Sequence, residues 1–186
     1  MLLWLVLACT EEEGKDTAEL TEEGTMFLPI AEDGISVEQL EPTRYLGVWY
    51  EIATTPGQQQ ANCAGTTAEY TLEDPETIGV LNRCYLGSLD GSLNQIRGIA
   101  TVQDDSYARL LVDFNFGFVA PYNVVVLDGA VGDEEYRYAA VASFNALWVL
   151  SRTPQMDTEL YEAILTDLDE RGYPVENLTM TEQPVE

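Results

Sequence analysis

The chain is 186 residues long and carries 33 acidic against 8 basic side chains, a formal net charge of −25, with Lys15 its single lysine. Such a charge repels a phosphate backbone and rules out a polybasic grip on anionic headgroups, so no nucleic acid is expected as a partner. Histidine is absent, which removes Ser-His-Asp and Cys-His catalysis, His-rich metal sites and His-ligated haem; no metal or other cofactor is expected.

The amino terminus opens with the uncharged apolar run Met1-Leu2-Leu3-Trp4-Leu5-Val6-Leu7-Ala8, followed by Cys9. This run is too short to span a bilayer as a mature helix. It resembles the end of a bacterial lipoprotein signal peptide, with Val6-Leu7-Ala8-Cys9 approximating the lipobox. The resemblance implies a signal over residues 1–8 and a lipid anchor on Cys9. Residues 9–34 then hold nine acidic side chains against Lys15, and Met26-Phe27-Leu28-Pro29-Ile30 is their apolar cluster. Such a composition buries too little surface to offset chain entropy, so the segment reads as an acidic flexible tether. Several acyl chains at about 0.8 kcal/mol per buried methylene make anchoring durable. Thr10, directly after the lipidated cysteine, carries no inner-membrane retention aspartate, so the expected location is the outer membrane, facing the periplasm.

The domain proper is expected over residues 35–186. Short β-rich runs separated by turn signals predict strands near 46–55, 64–73, 77–87, 93–103, 106–114, 121–129, 134–143 and 145–152. Asp74-Pro75-Glu76, Leu89-Asp90-Gly91-Ser92, Asp104-Asp105 and the stretch from Asp128 to Asp133 supply the breaks. Eight such strands can close into a barrel wide enough for one small ligand. Leu160, Ile164, Leu165 and Leu168 at 3.6-type spacing predict a helix from Asp157 to Gly172, packed on the outside of the barrel. A short strand is expected between Val175 and Met180.

Three motifs give this pattern a family. Gly47-x-Trp49 opens the first strand, Pro121-Tyr122-Asn123-Val124-Val125-Val126-Leu127-Asp128 lies in the middle, and Arg152 ends the eighth. In this order and spacing they resemble the lipocalin family, nearest to the bacterial outer-membrane lipoprotein lipocalins, over about Ile35 to Pro184. The resemblance implies an all-β, eight-stranded up-and-down antiparallel barrel with one C-terminal helix. It also implies that Arg152 lies over the Trp49 ring at the closed end. Guanidinium stacked on indole is attractive by roughly 0.5 to 2 kcal/mol.

Cys63 and Cys84 flank the second hairpin, whose turn lies near their midpoint. Antiparallel pairing brings the two thiols together, and in an exported chain this predicts a disulfide. With Cys9 lipidated, no thiol is left for catalysis.

Side-chain alternation sets which residues face inward: with Trp49 go Glu51 and Ala53, and with Arg152 go Trp148 and Leu150. In the middle motif, either Tyr122, Val124 and Val126 or the opposite parity lines the cavity. Phe114, Phe116 and Phe118 form an aromatic wall or lid. The expected ligand-binding residues are Phe114, Phe118, Tyr122, Val124, Trp148 and Leu150, each of which can equally serve as core packing. An apolar cavity of this kind suits an acyl chain, and the family resemblance implies fatty acids or lysophospholipids, bound by a monomer or a homodimer. Arg97 or Arg109 could meet an anionic head at the mouth or stand simply as surface cations. A planar pigment or sterol is the alternative ligand. A lipocalin-like enzyme is a third reading, for which Glu51 and Tyr122 are the acid–base candidates.

Overall fold

The computed structural model describes residues 27–57, 62–130 and 135–185. A Pro-led helical turn, α1 (Pro42–Tyr45), feeds strand β1 (Gly47–Thr54). Between them Gly47 takes φ +92°, a left-handed conformation that side chains with a Cβ resist. Seven strands follow as a meander: β2 (Cys63–Asp74), β3 (Thr77–Leu86), β4 (Leu93–Val102), β5 (Arg109–Asp113), β6 (Val119–Leu127), β7 (Tyr138–Ser143) and β8 (Ala146–Ser151). Each pairs antiparallel with its sequence neighbour, and β1 pairs with both β2 and β8. The result is the closed eight-stranded up-and-down barrel that the sequence predicts. Pro121 is tolerated inside β6 because at that level only β5 is paired; pairing to β7 starts at Asn123.

After the barrel, α2 (Thr158–Glu170) begins on Asp157, whose carboxylate accepts from the backbone N–H groups of Glu159 and Leu160 at 2.9 and 3.1 Å. It ends where Gly172 adopts φ +79° and the N–H groups of Gly172 and Tyr173 return to the carbonyls of Asp169 and Leu168. Ile164 and Leu168 are wholly buried and Leu160 partly so, as their spacing predicts. They pack on Ile52, Ala53, Val125, Val126, Tyr138, Ala140 and Val149, which form the outward faces of β1 and β6–β8. In place of the single short strand expected over 175–180, a 3-10 turn (Val175–Asn177) precedes β9 (Thr179–Met180).

Two bulges allow the same strands to serve the cavity and the helix. The β1–β8 register skips Ile52, and the β6–β7 register skips Val125. An extra residue in one strand reverses parity beyond it. Trp49 and Glu51 therefore face inward, whereas Ala53, expected on the same face, lies outward beneath α2. On β6 the reversal leaves Tyr122 and Val124 inside and puts Val126 outside.

One end of the barrel is filled. The Val37 N–H donates to the Val124 carbonyl at 2.8 Å, and the Leu40 N–H to that of Ser106 at 2.8 Å. Buried Val37 and Leu40 join Tyr45, Trp49, Ala108, Val124 and Tyr136 in the inner core. Backbone pairing starts at Phe27, which bridges Asp128, and the Leu28 N–H donates to the Leu127 carbonyl. Among the described residues the barrel domain thus includes the apolar cluster at Phe27–Ile30, ahead of Ile35.

Cys63 and Cys84 form a disulfide across β2 and β3, with a Cα separation of 5.4 Å. The closed loop spans 21 residues of sequence separation, which at loop-closure entropies stabilises the fold by about 3 kcal/mol. A Cys63→Ser/Cys84→Ser double variant should lose about that much unfolding free energy in a urea titration. An unchanged midpoint would show that the barrel does not depend on the bridge.

Candidate functional site

At the closed base, Arg152 lies over Trp49 with its Cζ 4.0 Å from the indole centroid. Its guanidinium also donates to four backbone carbonyls: Nε to Tyr136 at 3.0 Å, Nη1 to Val48 at 2.9 Å, and Nη2 to Arg44 and Leu46 at 2.9 and 2.8 Å. Burial lowers its pKa, but an arginine starts high enough to stay charged. Trp49 is fully buried and donates its own N–H to the Tyr45 carbonyl at 2.8 Å. The plug thus ties α1, β1 and the residues ahead of β7 to the end of β8.

Above the plug lies a layer of tyrosines. The Tyr122 hydroxyl stands 2.8 Å from both the Tyr45 and the Tyr70 hydroxyls. Burial pushes the Tyr70 pKa up to about 12, with the charge of Glu51 adding to the rise while the Tyr122 hydrogen bond and Arg152 oppose it. Burial likewise raises Tyr45 and Tyr122 well above the ordinary phenol value. All three stay neutral near pH 7, so Tyr122 is unsuited to act as a base there.

Beyond this floor a cavity of about 850 Å³ runs to the open end. That size falls within the roughly 300 to 1,000 Å³ typical of small-molecule sites. Its two walls differ. From β5 to β8 it is lined by Val112, Phe114, Tyr122, Val141, Trp148 and Leu150, with Phe116 and Phe118 at the rim. Phe116 stacks on Phe118 with centroids 6.5 Å apart, and both are half exposed. From β1 to β4 the lining includes Glu51, Thr66, Asn82 and Asn94.

Phe114, Phe118, Tyr122, Trp148 and Leu150 are thus brought together around one hollow. Val124 is not: it is wholly buried in the filled base, because the Val37 backbone packs there and the cavity stops at Tyr122. Neither Arg97 nor Arg109 reaches the mouth. Arg97 is exposed on the outer face of the β2–β4 region, and Arg109 is held by Asp33 at 2.6 Å and Asp104 at 2.8 Å near the base. Cys9 lies outside the described residues.

Beyond Glu51, which it placed inward, sequence reasoning missed the polar wall and what holds it. The segment after α2 returns to the barrel where β1 and β2 diverge. β9 pairs with Ala53 and Thr54, the Thr181 N–H donates to the Ile52 carbonyl, and the Gly65 N–H donates to the Glu182 carbonyl. From there Thr181 Oγ1 donates to Glu51 Oε1 at 2.6 Å, and Gln183 Nε2 donates to the Glu51 and Thr66 carbonyls at 2.8 and 2.9 Å. Alternation along β2 and β3, where Ala68 opposes Asn82 and Tyr70 opposes Val80, is the one signal that could have placed Asn82 inside.

A meander barrel with one plugged end and one open, partly apolar hollow defines a small-ligand-binding β-barrel protein. The model of the lipocalin-like domain matches residues 40–183, and the chain belongs to the lipocalin family. It is 36% identical over 155 residues to lipocalin R877 of Acanthamoeba polyphaga mimivirus, covering 78% of this chain and 86% of that one. It is 33% identical over 159 residues to the outer membrane lipoprotein Blc of Citrobacter freundii, covering 84% and 87%. Among solved structures, lobster apocrustacyanin A1 superposes with a TM-score of 0.61 at 19% identity, covering 77% of this chain and 79% of that one.

Two outcomes follow from the base. Trp49→Ala should cost roughly 3 kcal/mol or more of unfolding free energy through cavity formation, and Arg152→Ala should cost a comparable amount by uncovering the Trp49 ring and leaving partly buried carbonyls without donors. Both are read by chemical denaturation, and a loss under about 1 kcal/mol for Arg152→Ala would mean that water replaces the clamp. Because the folded tyrosine pKa values exceed the unfolded value of about 10, stability is intact below pH 10. It should fall as pH rises toward 12. Absorbance of the phenolate should therefore appear together with loss of the folded circular-dichroism signal, and tyrosine ionisation in a still-folded protein near pH 10.5 would have to be confined to the exposed rings.

Proposed function

We propose that this protein is a membrane-anchored carrier of single-chain lipids of the fatty-acid or lysophospholipid type in the cell envelope. The observation that carries the reading is the cavity of about 850 Å³, closed at one end by the Arg152–Trp49 plug and apolar along β5–β8. Burying about 14 methylenes there contributes roughly 11 kcal/mol gross at 0.8 kcal/mol each. Association and chain-ordering costs reduce that to micromolar or somewhat tighter binding. Similarity to a protein named as an outer membrane lipoprotein supports export, lipidation of Cys9 and residence at the outer membrane on the periplasmic side. The acidic segment 9–26 then acts as the tether between anchor and barrel. On this reading the protein performs no chemistry, and Phe114, Phe118, Tyr122, Trp148 and Leu150 contact the acyl chain.

A planar apolar ligand is the second reading, favoured by the row of Phe114, Phe116 and Phe118 rings with centroids 6.3 and 6.5 Å apart. Native mass spectrometry of protein extracted from its own membrane separates the two. A co-purifying phospholipid-derived mass supports the lipid carrier, and a chromophore supports the planar ligand. Trp148→Ala should weaken binding of a lysophospholipid by about tenfold, as expected for a lost aromatic contact, while lowering stability less than Trp49→Ala. Equal stability losses with unchanged affinity would make Trp148 a core residue rather than a ligand contact.

A further inference from the structure

The open end of the barrel differs from the base in charge and in apolar exposure. Its four connections, 55–62, 87–92, 114–118 and 144–145, hold one charged side chain, Asp90. The three at the base, 75–76, 103–108 and 128–137, hold seven acidic side chains and Arg137. Asp113, at the mouth end of β5, accepts from the Asn115 N–H at 2.6 Å. Large apolar side chains are distributed the opposite way. Phe116, Phe118 and Phe144 are 50, 59 and 74% exposed at the mouth, and Leu86, Leu93 and Val119 are about half exposed at the strand ends beside them. An exposed apolar cluster around an opening marks an interaction site.

The backbone at Phe144 points the same way. Ser143 pairs with Ala146, so Phe144 and Asn145 alone make the β7–β8 turn. Phe144 takes φ +49° there, at a position where two-residue hairpin turns favour glycine, asparagine or aspartate. A bulky side chain in that conformation costs stability, and a ring three-quarters in water returns little of it by packing. Asn115 and Gly117 also take positive φ, at +62° and +84°, between the row of Phe114, Phe116 and Phe118. Both loops hold aromatic rings out at the mouth, and in the β7–β8 turn this opposes the backbone's own preference.

We propose that the open rim of the barrel is a membrane-docking face: Phe116, Phe118 and Phe144 enter the outer layer of a neutral phospholipid surface and set the cavity mouth against it. This goes beyond the carrier reading and depends on neither the ligand nor an anchor at Cys9. Apolar rings without basic neighbours suit the boundary between headgroups and acyl chains, and a net charge of −25 disfavours anionic lipid. With the mouth down, strands of this length hold the acidic base about 25 Å from the surface, well beyond the screening length of roughly 8 Å at physiological salt. A second copy of the chain fits less well. At roughly 200 Å² per ring the three phenylalanines expose about 370 Å², under half of the roughly 800 Å² per partner that a stable dimer covers. They also border an opening, which a fluid surface can follow and a rigid barrel rim cannot.

The test is partition of the unacylated full chain onto extruded phosphatidylcholine vesicles, read by co-sedimentation. Phe144→Gly should lower the partition coefficient about tenfold, the effect of keeping roughly 55 Å² of apolar surface out of the membrane. It should not lower the melting temperature, because glycine takes φ +49° without strain. A Phe116→Ser/Phe118→Ser variant should lose at least as much partition, whereas Ile99→Ser, 45% exposed on the outer wall of β4, should lose none. The apolar run Met1–Ala8 is common to all of these chains, so their ratios read the rim alone. Replacing a third of the lipid by phosphatidylglycerol should weaken partition at low salt, and tighter binding there would overturn the neutral surface. Equal partition of the parent chain and both rim variants would overturn the docking face. So would a fall in melting temperature for Phe144→Gly, which would make the ring part of the fold. A lipid-free dimer in analytical ultracentrifugation that both rim variants dissociate would assign the rim to a second copy instead. Titration of the parent chain with lysophospholipid keeps the two readings apart: binding without docking leaves the carrier standing, and docking without binding leaves the rim.

Discussion

The guanidinium of Arg152 is where the barrel is made one object. Its donors reach the carbonyls of Arg44, Leu46, Val48 and Tyr136, while its plane covers an indole that the same strand junction has buried. Lysine could supply the charge but not the fork of fixed donors. The clamp needs the positive φ of Gly47, because the turn from α1 into β1 brings the Leu46 and Val48 carbonyls round to the same cation. Everything deeper than the tyrosine layer is solid core, and that solidity makes the other end a container with a single mouth.

The two bulges convert this container into a stable molecule. Without Ile52 and Val125 as extra residues, β1 and β6 would keep one parity along their length, and Ala53 and Val126 would turn inward instead of facing α2. With them, consecutive residues Val125 and Val126 both face α2, and Ile52 and Ala53 do the same. Helix packing is therefore obtained from strands that still give Glu51 and Tyr122 to the interior.

The sequence was most legible where chemistry and periodicity agreed. Trp49, Arg152 and the eight strands follow from motifs and alternation, and α2 follows from Leu160, Ile164 and Leu168. Ala53 and Val126 were misjudged or left open because a bulge adds one residue without changing composition. Val124 belongs to the base rather than the cavity because the depth of the floor depends on where Tyr45, Tyr70 and Tyr122 meet, and those three come from α1, β2 and β6. The polar wall was hidden for a similar reason. Asn82 sits between Leu81 and Arg83, and its inward aim shows only once Ala68 is known to oppose it. Thr181 and Gln183 belong to a segment with no periodicity of its own, so their role comes entirely from where it returns to the barrel.

That return has a bearing on solubility. Where β1 and β2 part, each would expose a row of unpaired amide and carbonyl groups, the feature by which sheets recruit strands from other molecules. The residues from Thr179 to Glu182 occupy both rows at once, bonding Ile52 to Thr54 on one side and Gly65 on the other. The slit in the wall is thereby denied to foreign chains, and a barrel left open at one end does not also nucleate β-aggregates along its seam.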